Sequence, residues 1–315
     1  MMHGPPLHGL LLAGGEGSRL AADGVATPKA LVTVGGRPQL VGLVEQFAAL
    51  GCASLTCLVH ADLAPLVDAA ALATASAGTP VRVVPCRTPS SLHTFVAGLA
   101  AVPPGPVFCS MVDTVMAPTD WRAVHAAAQR TLDDGADALL AVTPDPDDDD
   151  APLRVRVADG GRVTRVGGDA AAYALDTPVL ITGGVYAFAP PARAQAHALA
   201  AAGGARMRTF LAALVDGGGD VRAAIVPWIL DIDHRRDLDA ANVYAATWGR
   251  SSGRFRPRVR ERPGILPAGD TTAGDTTEEG DTTAGVMELE GHDQTSPAPC
   301  RITPAVVSPA RHGRA

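Results

Sequence analysis

Short apolar runs alternate with stretches of helical period through the first 135 residues of the chain. Residues 7–13 are largely apolar and end at Gly14-Gly15, the pattern of a buried strand opening into a glycine-rich loop. After the Gly35-Gly36-Arg37-Pro38 turn, apolar positions at Leu40, Leu43, Val44, Phe47 and Leu50 mark one face of a helix that Gly51 ends. The alternation then repeats as strand 54–60, helix 62–77, strand 81–85, helix 92–101, strand 106–112 and helix 121–133. Strands and helices at this spacing predict βαβ units. The expected fold is a three-layer α/β/α, Rossmann-like architecture with a mixed, mostly parallel sheet covered on both faces.

From Gly135 the pattern changes. A strand at 138–143 is followed by an acidic turn at 144–150, read as a solvated loop because carboxylates packed so tightly repel one another. Residues 154–158 and 162–166 read as a hairpin across Asp159-Gly160-Gly161. The strand 179–189 is interrupted by Gly183-Gly184, where a ligand or another backbone can approach closely. A helix at 206–215, a strand at 223–228 and a closing helix at 237–248 complete a folded domain, 1–249. The tail, 250–315, has an Arg-rich stretch at 250–262 and carries Gly-Asp-Thr-Thr three times within 269–285. With little apolar surface to offset its ordering entropy, that tail is expected to be disordered.

The charge balance narrows the function. A net charge of −7 over 315 residues argues against a nucleic-acid partner, which favours a basic surface. No run approaches the roughly 18 apolar residues of a membrane span. Five cysteines without Cys-x-x-Cys spacing fit a reducing compartment, so the expected location is cytoplasmic. Of the 26 basic residues, Lys29 is the only lysine. In an arginine-rich chain, a position that has stayed lysine is a candidate for needing a compact ammonium on a flexible stem.

Lys29 lies ten residues after Arg19, which closes the run Leu12-Ala13-Gly14-Gly15-Glu16-Gly17-Ser18-Arg19. A strand edge opening into glycines leaves backbone N–H groups free to close around phosphate oxygens. Arg19 adds a forked donor for phosphate, and Lys29 a point charge for an oxygen that gains charge during displacement. No Gly-Lys-Ser/Thr closes the loop, and the dinucleotide Gly-x-Gly-x-x-Gly is missing as well. Asp113 stands at the C-terminal end of a buried strand, where open α/β sheets bind ligands. The histidines show no ligand spacing, and no nucleophile-elbow motif is found.

These motifs resemble those of the sugar-1-phosphate nucleotidylyltransferases of the nucleotidyltransferase superfamily. The resemblance is carried by Leu12–Leu20, Pro28-Lys29-Ala30-Leu31 and Gly36-Arg37-Pro38, and extends over about 8–245. The ten-residue step from Arg19 to Lys29 is like that of the hexose-1-phosphate branch; the molybdenum cofactor guanylyltransferases have a shorter one. The resemblance implies catalytic roles for Arg19 and Lys29, and nucleotide binding by Leu12, Ala13, Gly14, Gly15, Gly17, Ser18, Ser90 and Ser91. Ser90 or Ser91 as a plain helix N-cap stays open beside that reading. It implies Mg²⁺ on Asp113 and on Asp231 of the late Asp231-Ile232-Asp233 motif, with Asp233 as the alternate.

Thr182 and Gly183 match the family's strand under the acceptor. The second lysine that the hexose branch places on the sugar phosphate is missing, and Arg165, Arg154 or Arg206 stands as its replacement. The expected partners are a nucleoside triphosphate and a small phosphorylated acceptor, a sugar 1-phosphate. A non-sugar phosphate acceptor, or a non-catalytic nucleotide-sugar sensor on the same fold, remain the alternatives.

Overall fold

Alternate side chains of the first strand, β1 (His8–Ala13), point to opposite faces of one sheet and set the layers of the molecule. Leu11 and Ala13 enter one core, and Leu10 and Leu12 enter the other. The computed structural model describes residues 4–15, 17–145, 152–176, 178–248 and 305–307. In chain order β1 is followed by α1 (Ser18–Ala22), β2 (Thr33–Val34), β3 (Arg37–Pro38), α2 (Gln39–Ala49), β4 (Leu55–His60), α3 (Ala69–Ala75) and β5 (Val81–Cys86). Next come α4 (Ser91–Ala101), β6 (Val107–Met111), β7 (Thr114–Val115), α5 (Pro118–Asp133), β8 (Ala138–Pro144), β9 (Arg154–Val157) and β10 (Val163–Val166). The chain continues with β11 (Leu180–Phe188), α6 (Pro190–Ala201), α7 (Met207–Asp216), β12 (Val221–Ile225), β13 (Leu230–Asp231), α8 (Arg235–Ala245) and β14 (Ala305–Val307).

The sheet runs β10-β9-β11-β6-β1-β4-β5-β14, with β8 on β11 and β12 on β8. β6, β1, β4 and β5 are mutually parallel, and β12 is parallel to β8. β11 runs antiparallel to its neighbours β6, β8 and β9, so the sheet is mixed. On one face α2, α3 and α5 bury Phe47, Leu72 and Trp121; on the other α4, α6 and α7 bury Phe95, Ala192 and Phe210. These are the two helical layers of the α/β/α plan. A third, smaller cluster joins α1 to α8 through Leu20, Val32, Trp228, Ile232 and Tyr244.

Three local departures have physical causes. The helix expected at 62–77 begins only at Ala69, where the Asp68 carboxylate accepts from Ala70 N and Ala71 N; a 3-10 turn at Ala64–Leu66 precedes it. α6 was not expected, because its alanines carry no apolar periodicity, although Pro190-Pro191 is a fair N-terminal signal. Its Arg193 donates to Leu99 O at 3.0 Å, Pro103 O at 3.2 Å and Gly105 O, collecting carbonyls at the C-terminal end of α4. The expected disordered tail lies outside the described residues, except that β14 pairs antiparallel with β5.

Candidate active site

The parallel strands end their C-termini along one edge, and β1 and β6 meet there: Val112 N donates to Leu12 O at 3.0 Å. Beyond β1, Gly14 lies so close to α4 that a Cβ would stand 2.9 Å from Thr94 Cγ2, whereas among the described residues nothing lies within 4 Å of a Cβ at Gly15. Gly17 takes a left-handed φ of 68°, and a Cβ there would stand 3.2 Å from Lys29 Cγ. Glycine at 17 therefore permits both the turn and the passage of the lysine stem. Ser18 and Arg19 begin α1, both exposed, and Leu20 anchors that helix in the small cluster.

Lys29 follows Pro28 into a 3-10 turn, Lys29–Leu31, whose Leu31 N donates to Pro28 O at 2.8 Å. Its side chain is 12% exposed; Nζ donates to Asp113 Oδ2 at 3.0 Å and to Asp233 Oδ1. Burial alone would lower the Lys29 pKa, but the charges of Asp113 and Asp233 and the bonds they accept outweigh it and hold the ammonium above its ordinary value. Arg19 donates to the other oxygen of Asp233. One carboxylate thus neutralises both cations of the glycine-loop motif.

Asp113 and the 231–233 segment are more than a hundred residues apart in sequence, and a short ribbon brings them together. β13 pairs antiparallel with β7, with Asp231 opposite Thr114, and Ile232 N donates to Asp113 O at 3.0 Å. Buried Thr114 donates to Gly183 O at 2.8 Å and lies 3.3 Å from Asp231 Oδ1. Buried Gln39 donates to Thr114 O at 2.9 Å, which ties the start of α2 to the turn carrying Asp113. Past the ribbon, Asp237 Oδ2 accepts from Asp233 N at 3.0 Å and His234 N at 2.6 Å, fixing Asp233 at the entry to α8.

The remaining sequence-derived residues divide into those at this centre and those packed elsewhere. Leu12 and Ala13 are buried at the end of β1. Ser90 caps α4, its hydroxyl 2.8 Å from His93 Nδ1 and 3.5 Å from His93 N, and Ser91 Oγ accepts from Met207 N at 3.1 Å. Thr182 is buried in β11. At Gly183 a Cβ would stand 2.2 Å from Ile229 Cγ2, so the space left by this glycine is filled by a side chain of the chain itself. Arg165 is exposed on β10; Arg154 lies 3.6 Å from Asp145; Arg206 precedes α7. Gln39 and Thr114 have no motif signal, since each acts through a partner that only the fold supplies, whereas Asp237, within the late motif, stands as a carboxylate in the first turn of α8.

Other chemistries find no support here. Cys52, Cys57, Cys86 and Cys109 are buried, and burial pushes the Cys57 thiol up to about 12, far from a ready thiolate. Among the described residues no three His, Cys, Asp or Glu side chains gather into a closed metal cage. None of the described helices is long and apolar enough to cross a membrane.

A glycine loop, its cations and facing carboxylates at the carboxyl edge of a mixed α/β sheet define the nucleotidyltransferase class. Residues 9–218 match the MobA-like NTP transferase domain, and the chain belongs to that family. No curated protein shows significant sequence similarity to it. In fold it is similar to the inositol-1-phosphate CTP transferase of T. maritima, at 17% identity and a TM-score of 0.62, over 79% of this chain and 99% of that one. It is likewise similar to a protein described as a glucose-1-phosphate thymidylyltransferase of Bacillus anthracis, solved in complex with a sucrose. There the identity is 15% and the TM-score 0.61, over 80% and 98% of the two chains.

Proposed function

We propose that the chain transfers a nucleoside monophosphate from a nucleoside triphosphate to a sugar 1-phosphate, with release of pyrophosphate. The observation that carries this reading is the sole lysine, 12% exposed and held between Asp113 and Asp233 at the mouth of the glycine loop. An acceptor phosphate oxygen attacks the α-phosphorus in line; the bond from that phosphorus to the bridging oxygen breaks, and pyrophosphate leaves with the electron pair. The acceptor is ionised at neutral pH, so no general base is needed. Backbone N–H groups of Gly14, Gly15 and Gly17 and the Arg19 guanidinium hold the phosphates, and Lys29 offsets charge as it develops.

Asp113 and Asp231 flank the β7–β13 ribbon with hard oxygen donors, a set that suits Mg²⁺ when phosphate and water complete the shell. Bound there, Mg²⁺ would withdraw charge from the phosphates. We assign the metal to this pair on the family resemblance of the late motif, with Asp233, which holds Arg19 and Lys29, as the alternate. For the acceptor phosphate, exposed Arg165 stands in for the missing second lysine, with Thr182 and Gly183 on the strand beneath.

The direct test is pyrophosphate release with Mg²⁺, screening nucleoside triphosphates against sugar 1-phosphates and phospho-alcohols. Release that requires one sugar 1-phosphate supports the reading. Release with a phospho-alcohol alone moves the acceptor class, and silence with triphosphate binding intact turns the protein into a nucleotide sensor. Lys29→Ala should lower turnover by about 100-fold or more with the fold intact; activity within a few-fold of the parent would sink the assigned role.

A further inference from the structure

α1 is joined to the segment carrying Asp233 at two points. The first is the ion pair of Arg19 with the Asp233 carboxylate. The second lies one turn further on, at Asp23, the residue that caps α1. Asp23 Oδ2 is 2.9 Å from His234 Nδ1 and accepts from Arg235 N at 3.0 Å. Together with Asp237, which takes Asp233 N and His234 N, it satisfies three successive backbone donors at the start of α8. The positive end of the α8 dipole favours a carboxylate there. The Arg235 N–H bond, and then the His234 ring, hold the Asp23 carboxyl below its ordinary value, so it is ionised at neutral pH.

The two joints have different fates on the reading above. An entering triphosphate competes with Asp233 for Arg19, so the first joint opens as the phosphates take the guanidinium. The second joint uses only a backbone N–H and an imidazole, neither of which the phosphates need. At five residues α1 is too short to hold its shape alone, and its position depends on what it docks against. Leu20 anchors one side. We infer that Asp23 is a positioning residue that tethers α1 to the start of α8, and so keeps the glycine loop over the nucleotide once Arg19 has left Asp233. This inference rests on the proposed transfer reaction, and its sequence signal is nil, because Asp23 and His234 are 211 positions apart.

The experiment compares Asp23→Ala and Asp23→Asn in the full chain by three readouts: triphosphate affinity by calorimetry without acceptor, steady-state kinetics, and amide hydrogen exchange over 18–24. Asp23→Ala should weaken triphosphate Kd and raise its KM by about tenfold, roughly the factor that one lost charge-assisted bond supplies, with a smaller effect on kcat. Exchange over 18–24 should quicken with and without nucleotide while the central strands keep their protection. Asp23→Asn, whose amide oxygen still accepts from Arg235 N but carries no charge, should recover part of the affinity. Kd and exchange within twofold of the parent in Asp23→Ala would overturn the tether, as would an Asn variant no better than Ala. If the parent binds triphosphate but transfers to no acceptor, the transfer reading fails and the tether is still decided by Kd and exchange. If the parent binds no triphosphate, both fall.

Discussion

At Lys29 an ammonium sits between two carboxylates with little access to water, and this sandwich decides what each neighbouring substitution would do. Asp231 and Asp233 are two positions apart; the Thr114 hydroxyl lies 3.3 Å from the first, and the second holds both Arg19 and Lys29. We therefore expect Asp231→Asn to raise the Mg²⁺ concentration for half-maximal activity by about tenfold or more, as loss of a metal ligand does, and Asp233→Asn to move it less than about threefold. A Mg²⁺ titration of pyrophosphate release checks this; the reverse order would transfer the metal to Asp233. Arg19, Lys29 and Asp113 were legible because their signals are local, a glycine loop with its cations and an acid at a strand end. Gln39 and Asp23 were not. Each is an ordinary polar residue whose purpose exists only once α2, α1 and α8 are packed around the site.

Among the elements, β11 packs tightly against the loop before β13. Gly183 leaves a hollow that Ile229 fills, and Gly184, at a φ of 77°, would place a Cβ 2.8 Å from Met111 Cγ and Thr114 Oγ1. Gly183→Ala should cost about 1–3 kcal/mol of stability by overpacking. Adding Ile229→Ala should give back part of that loss, since neighbours in contact are not additive. Urea denaturation of both single variants and the double variant tests it, and strictly additive losses would refute the packing account. The sequence flagged the two glycines as a place of close approach but could not say that the visitor is Ile229. Amphipathic α2 and α5 could be read from their period, whereas alanine-rich α6 could not, because small side chains leave no hydrophobic stripe to detect.

For the molecule as a whole, acid stability is set in part by two histidines that the fold keeps neutral. His125 stands edge-on to Phe108 with ring centroids 5.2 Å apart, and burial holds its pKa below the ordinary 6.5. His8 is held low by burial first and then by Arg193. A depressed imidazole pKa means that the unfolded chain binds protons more readily, so this stability is complete above about pH 6.5 and is lost as the pH falls through the folded values. The melting temperature should accordingly be flat from pH 8 to 7 and decline from pH 6.5 to 5, with a smaller decline in His125→Gln. A flat profile down to pH 5 would contradict the assignment. The α/β class and the layering were legible from alternation along the chain. The antiparallel setting of β11 was not, since a buried strand reads alike in either direction.

The scarcity of lysine has a practical side as well. Acylating reagents that seek primary amines find one lysine side chain in this sequence, Lys29. Modification at Lys29 reports directly on the state of the centre between Asp113 and Asp233, and a bound triphosphate should shield it. A lysine-specific protease, for the same reason, has one internal bond to cut, and how readily it cuts would follow the opening of that centre.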